Sequence, residues 1–206
     1  MIDHIGLEVR DYLRSKDFYL AALAPLGIEQ LLEFEGRIGG FGRDGKPGPR
    51  PQYSPSYYGG FVRDPDRNSV EAVYQGEPRP GENRLDHLWI RVRDLTESRL
   101  FYETVAPTVG LRVRDGDERR FHVAGDTRSF ALVQDRPVTE NLHLAFPAPD
   151  RATVDAFHGA ALEAGFRDNG GPGERPEYHP GYYGAFVLDP DGHNIEAVFH
   201  DRPAAG

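Results

Sequence analysis

A chain of 206 residues, 38% of them hydrophobic, has enough apolar material for one large domain or two small ones. Its net charge of -9 argues against a nucleic-acid partner, because a phosphate backbone calls for a basic surface, and leaves a small molecule or a protein as the expected partner. No run approaches a membrane span, and "MIDHIGLEVR" lacks the basic-then-apolar pattern of a secretion signal, so no membrane association and a cytoplasmic location are expected.

Residues 2–28, "IDHIGLEVRDYLRSKDFYLAALAPLGI", read as a strand followed by a helix, and a "RIGGFGRDG" run follows. Residues 53–75, "YSPSYYGGFVRDPDRNSVEAVYQ", form a two-strand pattern around a D-P-D turn. The Pro, Gly and charge-rich "GEPRPGENR" at 76–84 marks a linker, so 1–75 is one unit.

From residue 85 the pattern starts again. "LDHLWIRVRDLTESRLFYETVAPTVGL" at 85–111 aligns with 2–28, and "YHPGYYGAFVLDPDGHNIEAVFH" at 178–200 aligns with 53–75 at a larger offset, so the first copy is internally shortened. In the second copy "DHLWIRV" alternates as a strand. Residues 96–106 form a helix that Thr96 can cap and Pro107 and Gly110 close, with Leu100, Phe101 and Val105 on its apolar stripe. Three strands, "LRVRD", "RRFHVA" and "SFALVQ", complete a βαβββ module over 85–137. A weaker repeat occupies 141–200: the strand "LHLAF", a helix over "DRATVDAFHGAALEAGF" burying Val154, Phe157, Ala161 and Leu162, a Gly/Pro-rich loop, and the strands "YYGAFVL" and "HNIEAVF" around "DPDG". Residues 201–206 are a tail. The first copy lacks a counterpart of "NLHLAF" and of the helix after it.

With no cysteine in the chain, any metal must sit on histidine and carboxylate side chains. His87, His143 and Glu196 stand out as ligand-capable residues in strands with apolar neighbours, each on the face away from the bulky set. Two histidines and one carboxylate with open positions suit Fe(II), and also Mn(II) or Zn(II). The first copy retains the counterparts His4 and Glu71 but none of His143. It reads either as a remnant or as half of a four-ligand site assembled from His4 and Glu71 of two chains in a homodimer. Tyr182 and Tyr183 can present a phenol to a cavity mouth, Trp89 and Arg91 share the His87 strand face, and Arg91 could hold an anionic group. "GGPG" lacks the strand-before, helix-after setting of a phosphate loop. The loop "DNGGPGERPEYHPG" reads as a flexible lid.

The motifs "DHLWIRVRDLTESRLFYETV", its copy "DHIGLEVRDYLRSKDFYLAAL", "LHLAF" and "FVLDPDGHNIEAV" resemble the vicinal oxygen chelate superfamily, which includes glyoxalase I, extradiol dioxygenases and bleomycin-binding proteins. The resemblance implies an α+β fold of tandem βαβββ modules forming a cup-shaped mixed sheet. It also implies a divalent metal on His87, His143 and Glu196 that chelates adjacent oxygens of a small substrate. Glyoxalase I adds a carboxylate on the last strand of the first module, and "SFALV" has no acid; the three-ligand count favours the dioxygenase pattern. His179 matches a histidine of that pattern and, with Tyr183, is a candidate catalytic group. Phe186 stands where the pattern has a tyrosine, and a further acid–base histidine has no match near Ser129. A glyoxalase-like lyase, or a metal-free protein that sequesters an antibiotic or other aromatic compound, is the alternative.

Overall fold

A computed structural model describes residues 2–26, 28, 42–43, 48–49, 55–74, 87–126 and 129–201. The linker expected at 76–84 lies outside them, as do residues 202–206. The strands and helices, in chain order, are β1 (Ile5–Leu7), α1 (Tyr12–Leu23), β2 (Gly42–Arg43), β3 (Gly48–Pro49), β4 (Tyr58–Arg63), β5 (Ser69–Tyr74), β6 (Trp89–Val92), α2 (Leu95–Val105), β7 (Arg112–Asp117), β8 (Arg120–Ala124), β9 (Ser129–Gln134), β10 (Leu142–Pro147), α3 (Arg151–Glu163), β11 (Arg167–Glu174), β12 (Tyr182–Leu188) and β13 (Asn194–His200). The chain divides into two compact units, residues 1–6 with 87–206, and residues 7–86. The opening residues of the first copy therefore fold with the second.

The larger unit holds two βαβββ modules. In the first, the sheet order is β6-β9-β8-β7, with β6 parallel to β9. Ile90, Val92, Phe121, Val123, Phe130 and Leu132 turn their side chains inward, where α2 delivers Phe101, Tyr102 and Val105, all nearly or fully buried. Each such side chain stabilises the fold by roughly 1.5–3 kcal/mol before entropy is counted. Asp94, not Thr96, caps α2, its carboxylate accepting from the Thr96 and Glu97 N–H groups, so the helix starts one residue earlier than expected. Leu100 is 59% exposed; the buried stripe instead runs through Ser98, Phe101, Tyr102 and Val105.

The second module contributes β10, β13, β12 and β11 to a five-stranded sheet ordered β1-β10-β13-β12-β11. Leu144, Phe146, Ile195 and Ala197 are buried, as are Val154, Phe157 and Ala161 of α3, while Leu162 faces out. Asp150 caps α3 through the Thr153 N–H. The segment expected to be a lid begins as a strand: β11 pairs antiparallel with β12 through two register shifts, which restores the fourth strand of this module. Its glycines read as loop in the sequence but are compatible with a ladder whose partner strand supplies the hydrogen bonds.

The remaining strand, β1, comes from the first copy. The Asp3 N–H donates to Ala145 O and the Ala145 N–H donates to His4 O, while Gly6 lies against His143, so β1 runs antiparallel along the free edge of β10. In the smaller unit, β4 and β5 form a hairpin, and β2 and β3 lie along the outer edge of β4. The β4–β5 turn places Arg67 at φ 72, where the matching turn of β12–β13 has Gly192 at φ 88.

Candidate metal centre

Three donor atoms from three adjacent strands converge: His4 just ahead of β1, His143 on β10 and Glu196 on β13. His4 Nε2 lies 3.0 Å from His143 Nε2, and Glu196 Oε2 lies 3.1 Å from His143 Nε2 and 3.6 Å from His4 Nε2. Metal bonds of about 2.0–2.2 Å meeting at about 90–109° set donor separations of roughly 3.0–3.5 Å, so the spacing suits one small divalent ion. Glu196 is 1% exposed, and a carboxylate so deeply placed needs positive charge or several donors beside it.

Each donor is held from behind. The Tyr182 hydroxyl donates to Glu196 Oε1 at 2.7 Å, leaving Oε2 to face the histidines. The Tyr182 ring packs with Ala145 and Val198, and burial, then the Glu196 hydrogen bond and charge, push its pKa far up, so the phenol stays a donor. Gly184 makes room for this carboxylate, since a Cβ there would stand 2.6 Å from Glu196 Oε1. His4 Nδ1–H donates to Asp3 Oδ1 at 2.8 Å, which leaves Nε2 to face His143 and Glu196. That hydrogen bond raises the His4 pKa; burial opposes the rise and the Glu196 charge adds to it. The same bond lowers Asp3 against its burial, with His200 assisting. Asn194 Nδ2 lies 2.7 Å from His143 Nδ1; with the amide turned over, its oxygen would accept the Nδ1 proton and free Nε2 for a metal.

Behind Asp3 runs a line of histidines. His200 Nε2 sits 3.1 Å from Asp3 Oδ2, and His200 Nδ1 sits 2.9 Å from His179 Nε2, the two rings stacking at 5.1 Å. His179 Nδ1–H donates to Pro180 O. His179 is thus joined to the cluster through His200 and Asp3 rather than facing it. The role of His200 was visible in principle, because alternation from Glu196 through Val198 puts it on the same strand face.

Other expected positions fall elsewhere. His87 is exposed ahead of β6, in the other sheet of the unit; the edge of β10 that its strand would need is taken by β1, and His4 occupies the expected place. Trp89 and Arg91 also belong to β6. Trp89 is 55% exposed with the Arg120 guanidinium over its ring, and Arg91 is tied by its backbone to Thr139. Tyr183 points to the opposite face from Tyr182. Its hydroxyl donates to Asp155 of α3 and its ring lies under Arg151, which removes it from the cluster as a catalytic group. In the smaller unit Glu71 accepts from the Tyr57 hydroxyl at 2.9 Å. His4 faces His143 and Glu196 of its own chain.

The model of the Glyoxalase/Bleomycin resistance protein/Dioxygenase superfamily matches residues 84–197. Among solved structures, a glyoxalase/bleomycin resistance protein from Albidiferax ferrireducens T118 is 28% identical, with a TM-score of 0.51, covering 59% of this chain and all of its own. A glyoxalase I mutant from Zea mays is 26% identical, with a TM-score of 0.53, over 78% of this chain and 59% of its own. No curated protein matches the sequence. Among the described residues, no helix is long and apolar enough to cross a membrane.

Proposed function

The chain belongs to the Glyoxalase/Bleomycin resistance protein/Dioxygenase superfamily, and on that premise we propose that it is a divalent-metal-dependent enzyme acting on a small substrate with adjacent oxygens. The observation that carries the reading is the convergence of His4, His143 and Glu196 at donor separations suited to one ion. Fe(II), Mn(II) or Zn(II) bound there supplies a Lewis acid toward two vicinal oxygens and, as Fe(II), also dioxygen chemistry. The chain's own contribution is orientation. Asp3 fixes the ring of His4, and Tyr182 commits one carboxylate oxygen of Glu196. His179 and His200 form a hydrogen-bonded path from Asp3 that can hold or pass a proton.

The three-ligand set favours a dioxygenase-like site. The Zea mays glyoxalase I similarity favours a glyoxalase-like lyase as the second reading. A metal-free binding role is disfavoured by a buried carboxylate facing two histidines. Elemental analysis of protein purified without chelator tests the proposal: about one metal per chain is expected, and none in His143→Ala. A wild-type protein without metal, or a variant that keeps it, would sink the metal-enzyme reading.

A further inference from the structure

Arg175 follows β11 and folds back over the sheet. Its Nη2 donates to Gly171 O at 2.8 Å and its Nη1 to Glu174 O at 3.1 Å. Both acceptors are neutral carbonyls, so the guanidinium keeps donors for an anionic partner. No carboxylate among the described residues lies within ion-pair distance of it, although the chain as a whole carries a net charge of -9. The group is nevertheless half-buried and fixed, its Cζ stacked 5.4 Å from the centre of the Phe186 ring.

The floor beneath Arg175 has been cleared of side chains. A Cβ on Gly173 would stand 2.8 Å from Nη1, and one on Gly170 would meet both Phe186 and Nη2. Gly173 pairs directly with Gly184, the residue over which the Glu196 carboxylate lies. Cross-strand partners point to the same face, so the guanidinium and the Glu196 carboxylate lie on the same side of the sheet, over the two glycines of one pair. Phe186 pairs with Glu196, and its ring lies 6.2 Å from that of His143. A fixed cation, an apolar wall and the three-donor cluster therefore share one face of one sheet.

We infer that Arg175 is a specificity-determining residue that binds the anionic group of the substrate, so that the site takes a carboxylate-bearing compound whose vicinal oxygens lie at its other end. The inference rests on the metal-centre reading above. With the Phe186 ring 5.4 Å from the guanidinium on one side and 6.2 Å from the His143 ring on the other, a flat molecule such as a dihydroxybenzoate can lie with its two oxygens at the cluster, its body on Phe186 and its carboxylate forked by the guanidinium. The sequence offered Arg91 as a candidate for such a task; the inference assigns it to Arg175.

The test uses full-length protein loaded with Zn(II), its metal content measured first, and calorimetric titration with 3,4-dihydroxybenzoate and its uncharged amide. Wild type is expected to bind the carboxylate at least about tenfold more tightly than the amide, as a charge-assisted bond requires. Arg175→Gln is expected to abolish that preference while keeping zinc and its affinity for the amide, and Arg175→Lys to retain part of it. A wild type without preference, a preference that survives in Arg175→Gln, or no binding of either compound overturns the inference. Equal loss of both ligands in Arg175→Gln, with a lower melting temperature, would make the arginine a strut for β11 and also overturn it. Failure to hold zinc is visible before any ligand is added, and it overturns the metal-centre reading separately.

Discussion

The hairpins β4–β5 and β12–β13 solve the same local problem in the same way. Tyr57 donates to Glu71 as Tyr182 donates to Glu196, and Gly59 clears space for one carboxylate as Gly184 does for the other. Asp64 receives the backbone N–H and side-chain amide of Asn68 across its turn, and Asp189 receives the backbone N–H and ring of His193. What differs is the neighbourhood. β13 lies beside β10, which carries His143, and β10 lies beside β1; β5 has only β4 as its partner among the described strands. A tyrosine-braced glutamate is thus a property of one hairpin, whereas a ligand set is a property of strand order.

The largest expected effect breaks the symmetry of the two Asp-His motifs. His4→Ala should weaken zinc binding by at least about a hundredfold, beyond what losing an outer partner does, while His87→Ala leaves it unchanged in a competition assay with a chromogenic chelator. In the same assay Glu71→Gln should stay within about twofold of wild type; a loss of about tenfold or more would shift the reading toward a glyoxalase-like four-ligand set. The two tyrosines come next. Tyr182→Phe strips a buried carboxylate of its donor and should cost about 1.5–3 kcal/mol in chemical denaturation of the metal-free protein, against about 1 kcal/mol or less for Tyr57→Phe beside a less buried Glu71.

The turns give smaller and more selective effects. Burial opposes charging of His193, but the Asp189 hydrogen bond and charge, with the Thr139 carbonyl and Asp191, outweigh it and raise its pKa. A raised folded-state pKa contributes stability that is complete below the unfolded value of about 6.5 and is lost as pH rises through the folded value. His193→Asn, which copies the Asn68 turn, should therefore flatten the decline in melting temperature that sets in above about pH 6.5 and runs up to the folded value. The smallest effect is a gain. Arg67 holds a left-handed conformation that costs a side-chain-bearing residue about 1 kcal/mol, so Arg67→Gly should raise stability by up to about that amount.

Much of this was legible in the sequence, and the failures share a cause. β10, β12 and β13 announce themselves by alternation, and with them His143 and Glu196 on the face away from α3. The choice of His4 over His87 was not legible, because both follow the same D-H pattern, and which strand reaches the edge of β10 is decided by pairing far away in sequence. β11 was hidden by composition: of the glycines that read as a loop, Gly170 and Gly173 are those on which Arg175 and Phe186 close in, a reason that exists only once the sheet is assembled. Asp94 outcompeted Thr96 as a cap because an aspartate one residue before the helix reaches two N–H groups. Tyr182 and Tyr183 are adjacent, and only the register with β13 tells which one meets Glu196.

Because His4 is supplied by the first copy, the stretch that matches the family is not a transplantable unit. Residues 84–197 contain two of the three donors, along with Tyr182, Asn194 and His179, yet the third arrives on a strand from the other end of the polypeptide. A gene cut at the linker would yield a second half that folds around a vacant edge of β10. A short synthetic peptide spanning the β1 sequence, added in trans, is then what the severed half would lack, and metal uptake would report whether the two pieces find each other.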